Sequence, residues 1–122
     1  MRRAAAVLVD VLCVVVFATI GRRSHAEGIT ISGVAETAWP FVTGTIVGWL
    51  VSRGWRKPTS LAPTGIAVWI ATVAVGMLLR KATSAGVAGS FIVVASIATG
   101  VLLLGWRAGF ALLRRRNSAQ TA

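Results

Sequence analysis

Four apolar runs, each near the length needed to cross a lipid bilayer, leave this chain few ways to fold. They cover residues 4–20, 37–51, 61–79 and 87–106. As a helix the first spans about 25 Å, against a hydrocarbon core of about 30 Å. The second lengthens to 33–51 if its helix starts earlier. The connections 21–36, 52–60 and 80–86 hold most of the charge and the turn formers Gly28, Gly54, Pro58 and Gly86. Residues 107–116 continue the fourth run as a basic, partly apolar extension, and 117–122 read as a frayed tail. A soluble domain of 122 residues must cover much of its surface with polar atoms. A chain that is 56% hydrophobic and 13% charged cannot do so. The expected fold is therefore all-α: one polytopic membrane domain over 1–122, with four transmembrane helices in a small bundle.

The net charge of +10 would point to nucleic acid in a soluble protein. Here the cations sit at the edges of apolar runs, without interleaved aromatic residues in a sheet pattern, so lipid and not nucleic acid is the expected surrounding. The end of the bundle that carries both termini and the 52–60 connection holds nine Lys and Arg, and the other end holds four. Cations are retained on the cytoplasmic side. Both termini are thus expected in the cytoplasm, with the protein spanning a bacterial plasma membrane. Arg2, Arg3, the first apolar run and Ser24-His25-Ala26 imitate a secretory signal. Asp10 interrupts its apolar core, and Arg22 and Arg23 stand where a neutral cleavage region belongs, so the segment is expected to remain as a helix.

Chemistry-bearing residues are few. A single Cys13 excludes an intrachain disulfide and a cysteine zinc cluster. One His and three carboxylates give no argument for a metal, and no cofactor is expected. No Ser-His-Asp arrangement, phosphate loop or dinucleotide fingerprint is present, so a non-enzymatic role is expected.

Asp10 is the sharpest feature. An Asp at the centre of a membrane helix costs about 2.5–3.5 kcal/mol of insertion free energy, and each Leu, Ile, Phe or Val returns about 0.3–0.6. The first run holds ten of these, so it still inserts. Asp10 should face the bundle, as a proton or cation site or as a carboxylate satisfied by neighbouring helices. Thr43, Thr45, Thr72, Ser96 and Thr99 are expected at similar depth, with Arg107 able to reach inward.

Small residues mark helix packing. Gly44 and Gly48 form a GxxxG pair, Gly105 and Gly109 repeat the spacing, and Ser96 with Gly100 gives a weaker version. On the fourth run Gly89, Val93, Ser96, Gly100, Leu103 and Arg107 are expected to share one seam. Trp39, Trp55 and Trp106, with Trp49 a candidate to join them, suit the membrane interface, whereas Trp69 suits packing in the interior. Pro40 either opens the second helix or kinks it, and Pro63 falls in the first turn of the third. Phe41 leading to Gly54-Trp55-Arg56 and Phe91 leading to Gly105-Trp106-Arg107 suggest a faint duplication, although Gly-Trp-Arg also suits a cytoplasmic helix end.

At the outer end, Arg22, Arg23, Arg80 and Lys81 follow helices running outward, where cations meet the last free carbonyls, and Gly21 suits a cap. The functional alternative is an outer polar motif of Arg22, Arg23, His25, Glu27, Arg80 and Lys81 that binds a phosphate-bearing lipid or another anion.

"DVLCVVVFATIGRRSHAEG", "TAWPF", "GIAVWIATVAVGMLLR", "SFIVVA" and "LLGWR" together resemble a family of small, mainly actinobacterial membrane proteins. That family is a domain of unknown function, numbered three thousand and fifty-four. The resemblance runs from Asp10 to Arg107 and implies four membrane helices, but no activity. Small multidrug exporters also carry a carboxylate in the first of four helices, but theirs is Glu and its flanking pattern is absent here. Fluoride channels are faintly similar at Pro40 and Gly44-Thr45, but the Asn they carry soon after is missing here, where Ile46, Val47 and Gly48 follow. Two functions are expected to compete: a small carrier, channel or transport subunit using Asp10, and an accessory protein that binds lipid, a second copy or a larger membrane complex.

Overall fold

The computed structural model describes residues 2–24, 30–83 and 89–121; the side chains of 22–24 and 117–121 lie outside the description. Its helices are α1, Arg3–Ser24; α2, Ile31–Ser52; α3, Ile66–Ala82, entered through a kinked segment Leu61–Gly65 in which Ala62 is extended; and α4, Gly89–Thr121. All four spans are long and apolar enough to cross a membrane. They run alternately up and down. Asp10 near the start of α1 meets Trp49 near the end of α2, and Trp69 near the start of α3 meets Ser96 of α4. Both chain ends and the α2–α3 connection therefore share one end of the bundle.

Helix boundaries follow local chemistry where hydropathy misleads. Residues 31–36 are too polar to extend the second apolar run, yet they are helical. The Thr30 hydroxyl accepts from the Gly33 amide at 3.0 Å and satisfies one of the free first-turn donors. Pro40 lies inside α2 and does not open it. At the other end of α2, Arg53 adopts a left-handed conformation with φ 52°. The Arg53 amide then donates to Leu50 and the Gly54 amide to Trp49, the paired closure of a Schellman motif. Gly54 is needed for a different reason: a Cβ there would collide with the Trp49 indole.

Two expected ends move outward. Gly21 does not cap α1, which continues to Ser24. The fourth helix does not stop at 106, nor does the chain fray at 117, because α4 runs to Thr121. Arg is a good helix former, so the basic run that ends the hydropathy signal does not end the helix. At 33 residues α4 is about 50 Å long, well beyond a membrane core of about 30 Å. Arg80 and Lys81 do occupy the last turn of α3.

The closest helix pair is α2 with α3. A Cβ on Gly44 would lie 2.5 Å from the Ala71 carbonyl oxygen, and one on Gly48 would lie 2.6 Å from Val68 Cα. Gly105 and Gly109 meet nothing within 4 Å, so the same spacing on α4 makes no helix contact here. The α4 seam also differs from expectation. Its buried line is Ala95, Thr99, Leu103 and Arg107, at strict spacing of four, whereas Gly89 and Val93 are exposed. Ser96 and Gly100 instead seat Trp69, whose indole donates to the Ser96 carbonyl at 2.9 Å.

The core has two layers. One is built around Val14, Phe17, Phe41, Met77 and Ala95, with the Phe17, Phe41 and Phe91 rings 5.2–6.4 Å apart. The other is built around Ala6, Trp49, Val68 and Leu103. Large apolar residues line the outside instead: Leu8, Leu12, Val16 and Ile20 form one exposed stripe on α1. An apolar exterior over a small interior is what lipid as solvent allows.

Candidate functional site

The second core layer surrounds Asp10. Ala6, Asp10 and Val14 recur every four residues, which puts the carboxylate on the inward stripe of α1. On α4 the same spacing continues from Leu103 to Arg107. On α2 the step of four from Phe41 through Thr45 reaches Trp49.

These three stripes converge on one carboxylate. Asp10 Oδ1 accepts from Arg107 Nη1 at 2.9 Å and from the Trp106 indole at 2.9 Å. Oδ2 accepts from Arg107 Nη2 at 2.7 Å and from the Trp49 indole at 2.8 Å. Both charged side chains are fully buried. An ionised carboxylate offers about four acceptor positions; here each oxygen takes two N–H donors. Arg107 is held as fully. Its Nη1 also donates to Leu103 O at 3.1 Å and its Nε to Pro58 O at 3.2 Å, while its Cζ lies 4.6 Å from the Trp106 ring centroid. The pair thereby ties α1 and α4 to the connection between α2 and α3.

Thr43, Thr45, Thr72, Ser96 and Thr99 are expected at a depth similar to Asp10, and none of them bonds it in the structure. Thr45 and Thr72 hydroxyls lie 2.8 Å from each other, with the Phe41 and Val68 carbonyls also in reach. Thr43, Ser96 and Thr99 bond carbonyls of their own helices. Asp10 is seven residues into α1, about 10 Å along its axis. It is level with Trp49 and Arg107, nearer the terminal end than the threonine layer. Trp106 is expected at the membrane interface, with Trp49 a candidate to join it, because both lie near the ends of apolar runs; instead both indoles turn inward to the carboxylate. Their positions on the buried stripes were the signal that could have found them.

The outer polar motif is only partly visible. His25 and Glu27 lie outside the described residues, as do the side chains of Arg22 and Arg23. Arg80 stacks over Phe91, 4.5 Å from the ring centroid, and with Glu36, Trp39 and Thr83 lines a cleft of about 400 Å³. Lys81 is exposed.

A second cleft, of about 470 Å³, lies at the opposite end between the α2–α3 connection and α4, lined by Arg56, Lys57, Ser60, Leu61, Phe110 and Arg114 among others. Among the described residues no group of three or more His, Cys, Asp or Glu could hold a metal ion.

The family model for DUF3054, protein of unknown function, matches residues 7–110. That is most of the chain, and it includes Asp10, Trp49, Trp106 and Arg107. The chain belongs to this family. No curated protein and no solved structure matches it.

Proposed function

We propose that this DUF3054 protein is a non-enzymatic accessory protein of a bacterial plasma membrane, with both ends in the cytoplasm, and that it binds lipid or a larger membrane complex. The observation that carries the reading is the saturation of Asp10 by four N–H donors from Trp49, Trp106 and Arg107. A carboxylate that carries a proton or cation must release a partner to take it. Releasing Arg107 would leave a guanidinium buried without its counter-charge, which costs several kcal/mol. Asp10 serves in this reading to fix helix positions, and binding is left to the surfaces.

The charge distribution supports the orientation. Arg107 is spent inside the bundle and no longer counts as a connection cation. Eight against four then remain, with the majority still at the end that carries both termini.

Ion flux in proteoliposomes tests the reading. Wild type and Asp10→Asn should both leave proton and cation gradients undisturbed. A proton or cation flux carried by wild type would overturn it in favour of a carrier or channel.

A further inference from the structure

Among the described residues there are two side-chain carboxylates, and neither lines the basic cleft at the terminal end. Asp10 is committed to Arg107, and Glu36 lines the cleft at the opposite end. Arg56, Lys57 and Arg114 nevertheless converge on one cavity of about 470 Å³. Three cations around a cavity repel one another unless an anion from outside joins them.

Apolar side chains share the lining. Leu61, Phe110 and Ala111 stand among the cations, and Arg114 lies 5.9 Å over the Phe110 ring. Just beyond, Leu112 and Leu113 are more than half exposed on the protruding part of α4. The cleft stands where α2 ends, α3 begins and α4 leaves the bundle, which is the level of the lipid headgroups for helices of this length. Pro58, which also lines the cleft, is tied to the bundle by the bond from Arg107 Nε to its carbonyl at 3.2 Å.

From this we infer that the cleft binds the phosphate-bearing headgroup of an anionic phospholipid. Arg56, Lys57 and Arg114 meet the phosphate, and Leu61 and Phe110 meet the first carbons of the chains. A soluble phosphate would leave those two side chains unused. The inference rests on the lipid-binding arm of the reading above and gives it a place and a headgroup chemistry.

The test uses the full chain in neutral detergent, titrated separately with short-chain phosphatidylglycerol, short-chain phosphatidylcholine and inorganic pyrophosphate. Phosphatidylglycerol should bind and the other two should not. The triple variant Arg56→Gln, Lys57→Gln, Arg114→Gln should weaken that binding at least tenfold, since each cation contributes about fivefold at a membrane surface. A control that removes as much charge elsewhere, Arg2→Gln, Arg3→Gln, Lys81→Gln, should change it far less than the triple variant does, because none of these cations lines the cleft. Phe110→Ser should weaken phosphatidylglycerol binding as well. Equal losses in triple variant and control would overturn the site and leave only diffuse attraction. Binding of pyrophosphate in place of lipid would overturn the lipid as its source, and binding of phosphatidylcholine would overturn the charge argument. None of these outcomes touches ion flux, so failure here is separable from failure of the accessory reading.

Discussion

Asp10 and Arg107, 97 positions apart in the chain, meet as a two-pronged ion pair with neither side chain exposed. Parallel N–H···O bonds from one guanidinium to one carboxylate fix both distance and angle. The pair therefore sets how α1 lies against α4 and, through Pro58, where the α2–α3 connection rests.

Breaking one half of such a pair is worse than removing both. Asp10→Asn or Arg107→Gln should each destabilise the bundle by about 3–5 kcal/mol, because the surviving charge stays buried. Asp10→Leu combined with Arg107→Met should be less destabilised than either single variant. Arg107→Lys should fall in between, since an ammonium cannot reproduce the fork. Thermal unfolding in mild detergent, followed by loss of the monodisperse peak, gives the order. A double variant worse than both singles would contradict it.

The two indoles can be tested without touching a charge. Trp49→Phe and Trp106→Phe keep one aromatic ring and delete the pyrrole ring with the N–H that reaches Asp10. Each should cost about 1–3 kcal/mol, as a hydrogen bond to a charged group is lost. Trp55 is 41% exposed, and Trp55→Phe should stay within about 0.5 kcal/mol of wild type. Equal shifts for all three would mean that ring packing, not the N–H, sets the effect.

The ease of reading differed between spans and site for a physical reason. Spans are runs of hydrocarbon, and hydropathy sums over many residues, so four helices stood out even where ends were misplaced. Ile31 and Ser32 escaped, and 33–36 stood only as an alternative start, because helix formation there rests on the Thr30 cap and on packing of α2, not on apolar content. Asp10 and Arg107 were each visible as charges within or beside apolar runs. Their pairing was not, because nothing local encodes a contact between α1 and α4. The step of four through Ala95, Thr99 and Leu103 does point at Arg107, and the step through Phe41 and Thr45 points at Trp49. Reading those stripes before assigning every terminal Trp to the interface would have brought both indoles inward.

The glycines separate into two groups that look alike by spacing. Gly44→Ala and Gly48→Ala would push a methyl into the α3 backbone, so each should cost about 1–3 kcal/mol through forced separation of α2 and α3. Gly105→Ala and Gly109→Ala meet open space. They should be neutral or stabilising by up to about 1 kcal/mol through helix propensity. Unfolding midpoints of the four variants decide the matter. Destabilisation by Gly105→Ala would show that α4 packs against something that an isolated chain does not contain.

Orientation can be measured from positions away from the ion pair. Replacing Cys13, the single thiol, with Ala clears the background. Thr83 ends α3 at one end of the bundle, Arg115 lies on the protruding part of α4 at the other, and both are exposed. With eight connection and terminal cations at the Arg115 end and four at the Thr83 end, the Arg115 end should be retained in the cytoplasm. A membrane-impermeant maleimide should then label Thr83→Cys in intact cells and Arg115→Cys only after lysis. The substitution at Arg115 leaves seven against four, which still favours the same side. The reverse pattern would put both termini outside. Labelling of both sites in intact cells would mean that copies insert either way, and the basic cleft would then face the two leaflets in different molecules. A single orientation instead fixes which leaflet must supply its anionic headgroup.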